Sequence, residues 1–391
     1  MGDDIAALRS GWNAFCEELK RAGENAFLPS APNGGVDRAA GLRQVARNIA
    51  LALQFELENA DPLHPELAHY FDPVRKQGGD NPDALYLGAP INGLDHYRIQ
   101  GHRGTADYVA ITAVEKGETP FGGRAAAILL GDELEVAADG RFELNIGPDP
   151  CGPNWLRSSP DTYRVTIRQF FSDWENEQPM RAMIERIGCD APRPVLASQE
   201  LLQGLKRSAT WLGPSVRYWT EMLSRWKARP HTFLAYSELE TNEVDATPGG
   251  EPVIAYWQLQ PDEILVIRVK PPAARYWSVE LGNAWWESMD YRDRFSSTNR
   301  HYAELDPDGM MTILISHDDP GVPNWLDASG HSEGYITFRW IGVDRPPRPM
   351  MTRLTKDQLG DSMKSCRRVG RQERMEQLDR RRWGLLNRGM L

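Results

Sequence analysis

The last third of the chain gathers the residue types from which acid–base chemistry is made. His317 and Asp318 stand immediately before an Asp-Pro step, and His331 and Glu333 follow soon after. An imidazole titrates near neutral pH and a neighbouring carboxylate tunes it, so His317, Asp318, His331 and Glu333 form a candidate catalytic quartet. The same nitrogen and oxygen groups suit a divalent metal, although their spacing matches no recognised zinc motif and no metal is assigned. A third reading is a turn network in which these side chains satisfy loop N–H and C=O groups. Just upstream lie Asn283, Trp285, Trp286, Glu287, Asp290, Arg292, Asp293, Arg294 and Asn299. Neighbouring side chains of a strand face opposite sides, so Trp285 and Trp286 cannot both point inward. One of them is expected to face a groove, solvent or another subunit. Trp285, Trp286, Arg294 and Asn299 are therefore candidate substrate contacts, with ion pairing to Asp290 and Asp293 the plainer role for the arginines. In the first half, Arg103 at a hairpin tip is a further candidate, poised to meet a carboxylate of the other half. Asp80-Asn81-Pro82-Asp83, followed by Tyr86, reads as an Asx-stabilised turn feeding a strand.

These residues sit in a sequence that repeats itself. Asp149-Pro150-Cys151-Gly152-Pro153-Asn154-Trp155-Leu156 is echoed by Asp319-Pro320-Gly321-Val322-Pro323-Asn324-Trp325-Leu326. Asp139-Gly140 is matched by Asp308-Gly309, Asp107-Tyr108 by Arg275-Tyr276, and Tyr163-Arg164-Val165-Thr166 by Tyr335-Ile336-Thr337-Phe338. Several matches in the same order argue for duplication of one module. Residues kept in both copies, such as Asn154, Trp155, Asn324 and Trp325, belong to the scaffold: Pro fixes φ, Asn bonds backbone and Trp fills the core. The imidazoles of His317 and His331 occur in the second copy alone, which is why chemistry is sought there.

Element patterns fit that plan. Apolar residues recur at helical spacing from Ala7 to Leu19 and from Leu42 to Phe55. From about residue 80 the period becomes two, with short runs separated by Gly, Pro and Asp, as in a sandwich or barrel. Met180, Met183, Ile184 and Ile187 suggest a return to helix, continued by Leu201 to Trp211 and, after Pro214, by Val216 to Trp226. Alternation then resumes up to Trp340. Arg345-Pro346-Pro347-Arg348-Pro349 interrupts regular structure, and a basic, helix-prone tail follows, read as a solvated helix on the body or on a neighbouring subunit rather than a polyanion-binding arm. The expected fold class is α+β: two tandem antiparallel β-sandwich, jelly-roll-like modules with N-terminal, connecting and C-terminal helices. The boundaries expected are a helical region 1–78, modules at 79–175 and 249–345, a helical connection 176–248 and a tail 346–391.

Composition narrows the function classes. The net charge of -10 disfavours nucleic acid as a partner. No run approaches a membrane span, and the acidic start lacks a signal-peptide pattern, so a cytoplasmic location is expected. Cys16, Cys151, Cys189 and Cys366 are far apart and read as free thiols. There is no GxSxG elbow, Walker loop or GxGxxG unit, so no cofactor is expected.

Gly79-Asp80-Asn81-Pro82-Asp83-Ala84-Leu85-Tyr86-Leu87, with Tyr97-Arg98-Ile99 and Gly101-His102-Arg103-Gly104-Thr105, resembles the first half of the bacterial family catalogued as domain of unknown function 1214. The run from Asp318 to Asp327, with Gly330-His331-Ser332-Glu333-Gly334 and Arg339-Trp340, resembles its C-terminal signature; Ala328-Ser329 departs from a common Thr-Ala pair. The resemblance implies paired β-sandwiches that often assemble as oligomers, and brings no established catalytic residues. The expectation is a cofactor-independent hydrolase or lyase acting on a small hydrophobic or glycosidic metabolite, probed against a non-catalytic ligand-binding protein or an oligomeric assembly protein, with a small-molecule ligand and a second copy of the chain as partners.

Overall fold

Period-two segments become strands, nine in each module among the described residues. A computed structural model describes residues 2–239, 247–359 and 367–390; Cys366, expected to be a free thiol, lies outside the described residues. The first half holds β1 (Ala68–His69), β2 (Ala84–Pro90), β3 (Tyr97–His102), β4 (Tyr108–Glu115), β5 (Ala125–Leu130), β6 (Arg141–Gly147), β7 (Trp155–Arg157), β8 (Thr162–Phe170) and β9 (Arg181–Arg186). The second holds β10 (Leu234–Ala235), β11 (Val253–Gln258), β12 (Glu263–Val269), β13 (Tyr276–Asn283), β14 (Ser297–Asn299), β15 (Met311–Ser316), β16 (Trp325–Asp327), β17 (Glu333–Ile341) and β18 (Met350–Thr355). One sheet of each module runs β1-β2-β8-β4-β5 and β10-β11-β17-β13-β14; the other runs β7-β6-β3-β9 and β16-β15-β12-β18. Every pairing recurs, down to the parallel pairs β6–β7 and β15–β16 in otherwise antiparallel sheets.

Alternation divides each large sheet. Leu85, Leu87, Val109, Ile111, Val165 and Ile167 point into the first sandwich, and Val253, Trp257, Val279, Leu281, Ile336 and Phe338 into the second. The opposite faces of the two large sheets join: Phe170 packs against Tyr108 and Tyr276, with ring centroids 4.8 and 5.0 Å apart. Three helices cover this junction, α1 (Gly2–Gly23), α2 (Gly35–Leu53) and α3 (Ser198–Lys227), the last presenting Trp211, Leu212 and Val216 to Tyr70 and Tyr86.

Scaffold residues behave alike in both modules. The Asn154 amide donates to Glu135 O and Glu143 O and accepts Glu135 N–H; that of Asn324 donates to Glu304 O and Thr312 O and accepts Glu304 N–H. Gly140 and Gly309 both take left-handed φ, 85° and 76°, at the turns before β6 and β15.

Four expectations are corrected. Residues 181–186 form β9, paired with β3 in the first module, not a helix; Ile184 is buried and Met183 exposed, a strand's alternation. Helix α3 runs unbroken through Pro214, held by buried Trp211, Leu212, Ser215 and Val216 on either side. Met350–Thr355 pairs with β12 as β18, so the second module extends into the expected tail, and α4 (Lys356–Leu359) and α5 (Arg371–Asn387) follow it. The match of Tyr163 to Tyr335 is one residue out. Tyr108 pairs with Phe170 and Tyr276 with Ile341, which makes Arg164 equivalent to Tyr335, Thr166 to Thr337 and Arg168 to Arg339. A slip of one residue exchanges the faces of a strand, so the corrected alignment changes which side chains of the two copies occupy the same face.

Candidate functional site

Between the joined sheets lies a cavity of about 190 Å3. The central strands supply its polar wall: Arg164, Thr166 and Arg168 from β8, Thr337 and Arg339 from β17. Each strand thus places a Thr-x-Arg step on the same face at equivalent positions. Arg164 lies over the rings of Phe55 (4.1 Å) and Tyr70 (4.7 Å), a cation–π arrangement that holds its charge beside apolar surface.

Aromatic groups make the rest of the wall. Trp219 of α3 lies 6.2 Å from Trp286, the planes 13° apart, and Trp286 stacks on Tyr335 at 4.9 Å and 18°. Phe121, in the β4–β5 connection, packs on Trp219 at 4.7 Å, while the Trp211 indole N–H donates to Pro120 O. Trp286 has φ 58°, a left-handed conformation rare for a bulky residue. It is held by the turn that Asn283 builds, whose side-chain oxygen accepts the N–H groups of Trp285 and Glu287, and by Gly79 N–H donating to Trp286 O. Gly78 and Gly79, with φ 65° and 69°, have no side chain where the rings lie. A Cβ on Gly79 would stand 2.5 Å from Trp286 Nε1, and one on Gly78 2.9 Å from Trp219 Cζ2.

Charges are buried behind this wall. Glu280 of β13 pairs with Arg339 Nη1 at 2.6 Å, and Arg339 also donates to Gly79 O. Burial pushes the Glu280 carboxyl up to about 8 against the opposing pull of Arg339. Lys76, wholly buried, donates to Ser288 O, Ser288 Oγ and Met289 O; burial brings its amine down to about 8. Asp80 accepts the N–H and hydroxyl of Ser288, while Asp83 accepts Tyr276 OH, the Asn299 amide and the Trp174 indole. The segment 76–83 of the first module is thereby stitched to the second.

The quartet expected from the sequence is dispersed in its contacts. Asp318 is exposed and pairs with Lys356 at 2.7 Å. His331 Nδ1 lies 2.7 Å from Asp37 Oδ1, on α2, and Glu333 pairs with Lys227 of α3 at 2.9 Å. Among the described residues no hydrogen bond or ion pair joins His317 or Asp318 to His331 or Glu333, and no group of three metal-ligating side chains could hold an ion. Trp285 and Trp286 do part company, as loop rather than strand residues. Trp286 lines the cavity; Trp285 lies against Gly41 and donates its indole N–H to Asp37 O. Asn299 is committed to Asp83 and Ser172 O, and Arg294 to Asp327. Arg103 donates to Ala106 O, whereas cross-module ion pairs run the other way, from Arg300 to Asp107 and Arg275 to Asp132.

Sequence reasoning missed Arg164, Arg168, Arg339, Glu280, Trp219 and the Gly78-Gly79 pair. The cue was a Thr-x-Arg step in both copies, hidden by the one-residue error of alignment.

The model of the family described as "Protein of unknown function (DUF1214)" matches residues 86–173 and 258–344, one span in each module. Among solved structures, an uncharacterized protein from Burkholderia cenocepacia is 32% identical, with a TM-score of 0.86 over 90% of this chain and 99% of its own. The VPA0106 protein from Vibrio parahaemolyticus is 14% identical, with a TM-score of 0.46 over 86% of this chain and 100% of its own. No curated protein sequence matches the chain.

Proposed function

We propose that this chain, which belongs to the DUF1214 family, is a binding protein for a small amphipathic molecule, housed in the cavity where its two modules join. The observation that carries this reading is the lining: Phe55, Phe121, Trp211, Trp219 and Trp286 share one cavity with the arginines of β8 and β17. Binding sites combine such apolar walls with a few converging polar groups. An engineered apolar cavity of about 150 Å3 accepts benzene. The space here suits a single ring or a short chain. The left-handed Trp286 supports the same reading, since backbone strain persists where surrounding structure enforces it and gathers at ligand sites. Hydrolase or lyase chemistry on His317, Asp318, His331 and Glu333 has less behind it, because Lys356, Asp37 and Lys227 already occupy three of the four.

Calorimetric titration with single-ring and short-chain compounds tests the proposal. Wild type is expected to bind members of the panel, and Thr166→Phe, which fills the cavity from β8, to lose that binding while keeping a cooperative thermal transition. Equal binding by the filled variant, or none by wild type, would overturn it.

A further inference from the structure

Resting on that cavity reading, we infer that the molecule held is a hydrophobic carboxylate whose anionic group lies against Arg168 and Arg339, taking over from Glu280 the ion pair with Arg339. The two arginines occupy equivalent positions of the two modules and both line the cavity. Both guanidinium groups also act on Tyr86, whose hydroxyl accepts Asn81 N–H and has a proton to donate. The site already displays the chemistry: one carboxylate, that of Glu280, sits on Arg339. Exchange of one carboxylate for another keeps the guanidinium paired, which matters because an uncompensated buried charge is strongly destabilising.

The modules differ at one informative place. Ala110 and Ser278 lie beside Arg168 and Arg339, and two residues further along the same strands stand Thr112 and Glu280. The second module alone thus places a carboxylate at this position. Glu280 faces Arg339 and feels Asp80 and Asp83 of segment 76–83, while Tyr86 and Tyr335 lie within its field. Burial and these acidic neighbours favour its neutral form, so above about pH 8, where Glu280 is ionised, a proton settles on it as a ligand anion arrives, while below that Glu280 is already protonated and cedes Arg339 without one. A dianionic phosphate would bring a second charge that one proton cannot offset. The indole N–H groups of Trp219 and Trp286 are buried and have no acceptor among the described residues; a carboxylate oxygen is a fitting one.

Titration calorimetry with phenylacetate, phenylacetamide and phenyl phosphate is the test, run on wild type, Glu280→Gln and Arg168→Met. Phenylacetate is expected to bind wild type at least about tenfold more tightly than the amide, as a hydrogen-bonded charge warrants. Its affinity should fall above about pH 8, by up to about tenfold per pH unit, with proton uptake at about pH 9, measured in buffers of differing ionisation enthalpy, that is absent at about pH 6. Glu280→Gln should bind phenylacetate more tightly and take up no proton, and Arg168→Met should lose the preference for the acid. Equal affinity for acid and amide, preference for phenyl phosphate, or unchanged proton uptake in Glu280→Gln overturns the carboxylate assignment and leaves the cavity reading intact. Failure of all three compounds, together with Thr166→Phe and wild type alike across the wider panel, overturns both.

Discussion

His331 and Glu280 show how one residue type earns different meanings from its surroundings. His331 belongs to an adapter between α2 and the second module. Burial alone would raise the Asp37 carboxyl, but hydrogen bonds from His331 and Ser332 outweigh it and hold the group below its ordinary value. His331→Ala should lower stability by about 1–3 kcal/mol, by urea denaturation near neutral pH, since it strips a partner from a buried carboxylate. A depressed carboxyl stabilises the fold above its unfolded value, near 3.9, and ceases to as pH falls through the folded one. The gap between wild type and variant should therefore close below about pH 4. Glu280 has the opposite sign. Its folded carboxyl, near 8, keeps a proton that the unfolded chain releases near 4.3, so stability falls as pH rises between those values and levels off above. Glu280→Gln should remove that slope, measured by denaturation at pH steps across the window.

At the scale of elements, α5 shows what a basic stretch can be for. Arg374 and Arg381 of the helix and Arg388 at its C-cap are spaced by seven, so they line one side, and all three are buried. Arg374 pairs with Asp319 at 2.9 Å and lies over Phe295 and Trp325; Arg381 reaches Ser297 and lies over Trp174; Arg388 donates to Pro82 O and lies 4.2 Å from the Trp174 ring centroid. The helix is pinned along the second module and ends on the segment that carries Gly79 and Asp80. Arg381→Ala should cost about 2 kcal/mol, from its hydrogen bonds and ring contact together. Removing residues 371–391 should speed amide exchange at Asn81 and Asp83, read by mass spectrometry. The composition of this tail declared its charge but not its partners, because the aromatic platform of these arginines, Trp174, Phe295 and Trp325, is assembled from segments distant in sequence. The strand β9 was hidden for another reason: Met180, Met183, Ile184 and Ile187 fall at helical spacing, yet β9 is an edge strand of which only Ile184 turns fully inward, leaving Met183 exposed.

For the whole molecule, duplication was the most legible feature, since turn residues such as Gly140 and Gly309, and the Asn154 and Asn324 brackets, recur in the same order. The family resemblance and the paired, antiparallel-rich sheets agree with it. What the sequence concealed was the junction. Two copies of one sandwich place the outer faces of their large sheets together, and a cavity arises from residues that look like ordinary polar strand positions in either copy alone. No helix among the described residues is long and apolar enough to cross a membrane. The junction has an optical consequence as well. Trp219, Trp286 and Tyr335 form one continuous stack, with Trp226 tilted against it. Chromophores so close and fixed in a chiral arrangement share their excited states, so the folded protein is expected to show an exciton signature in circular dichroism that reports the docking of α3 on the second module. Any molecule that enters between the rings rewrites that spectrum.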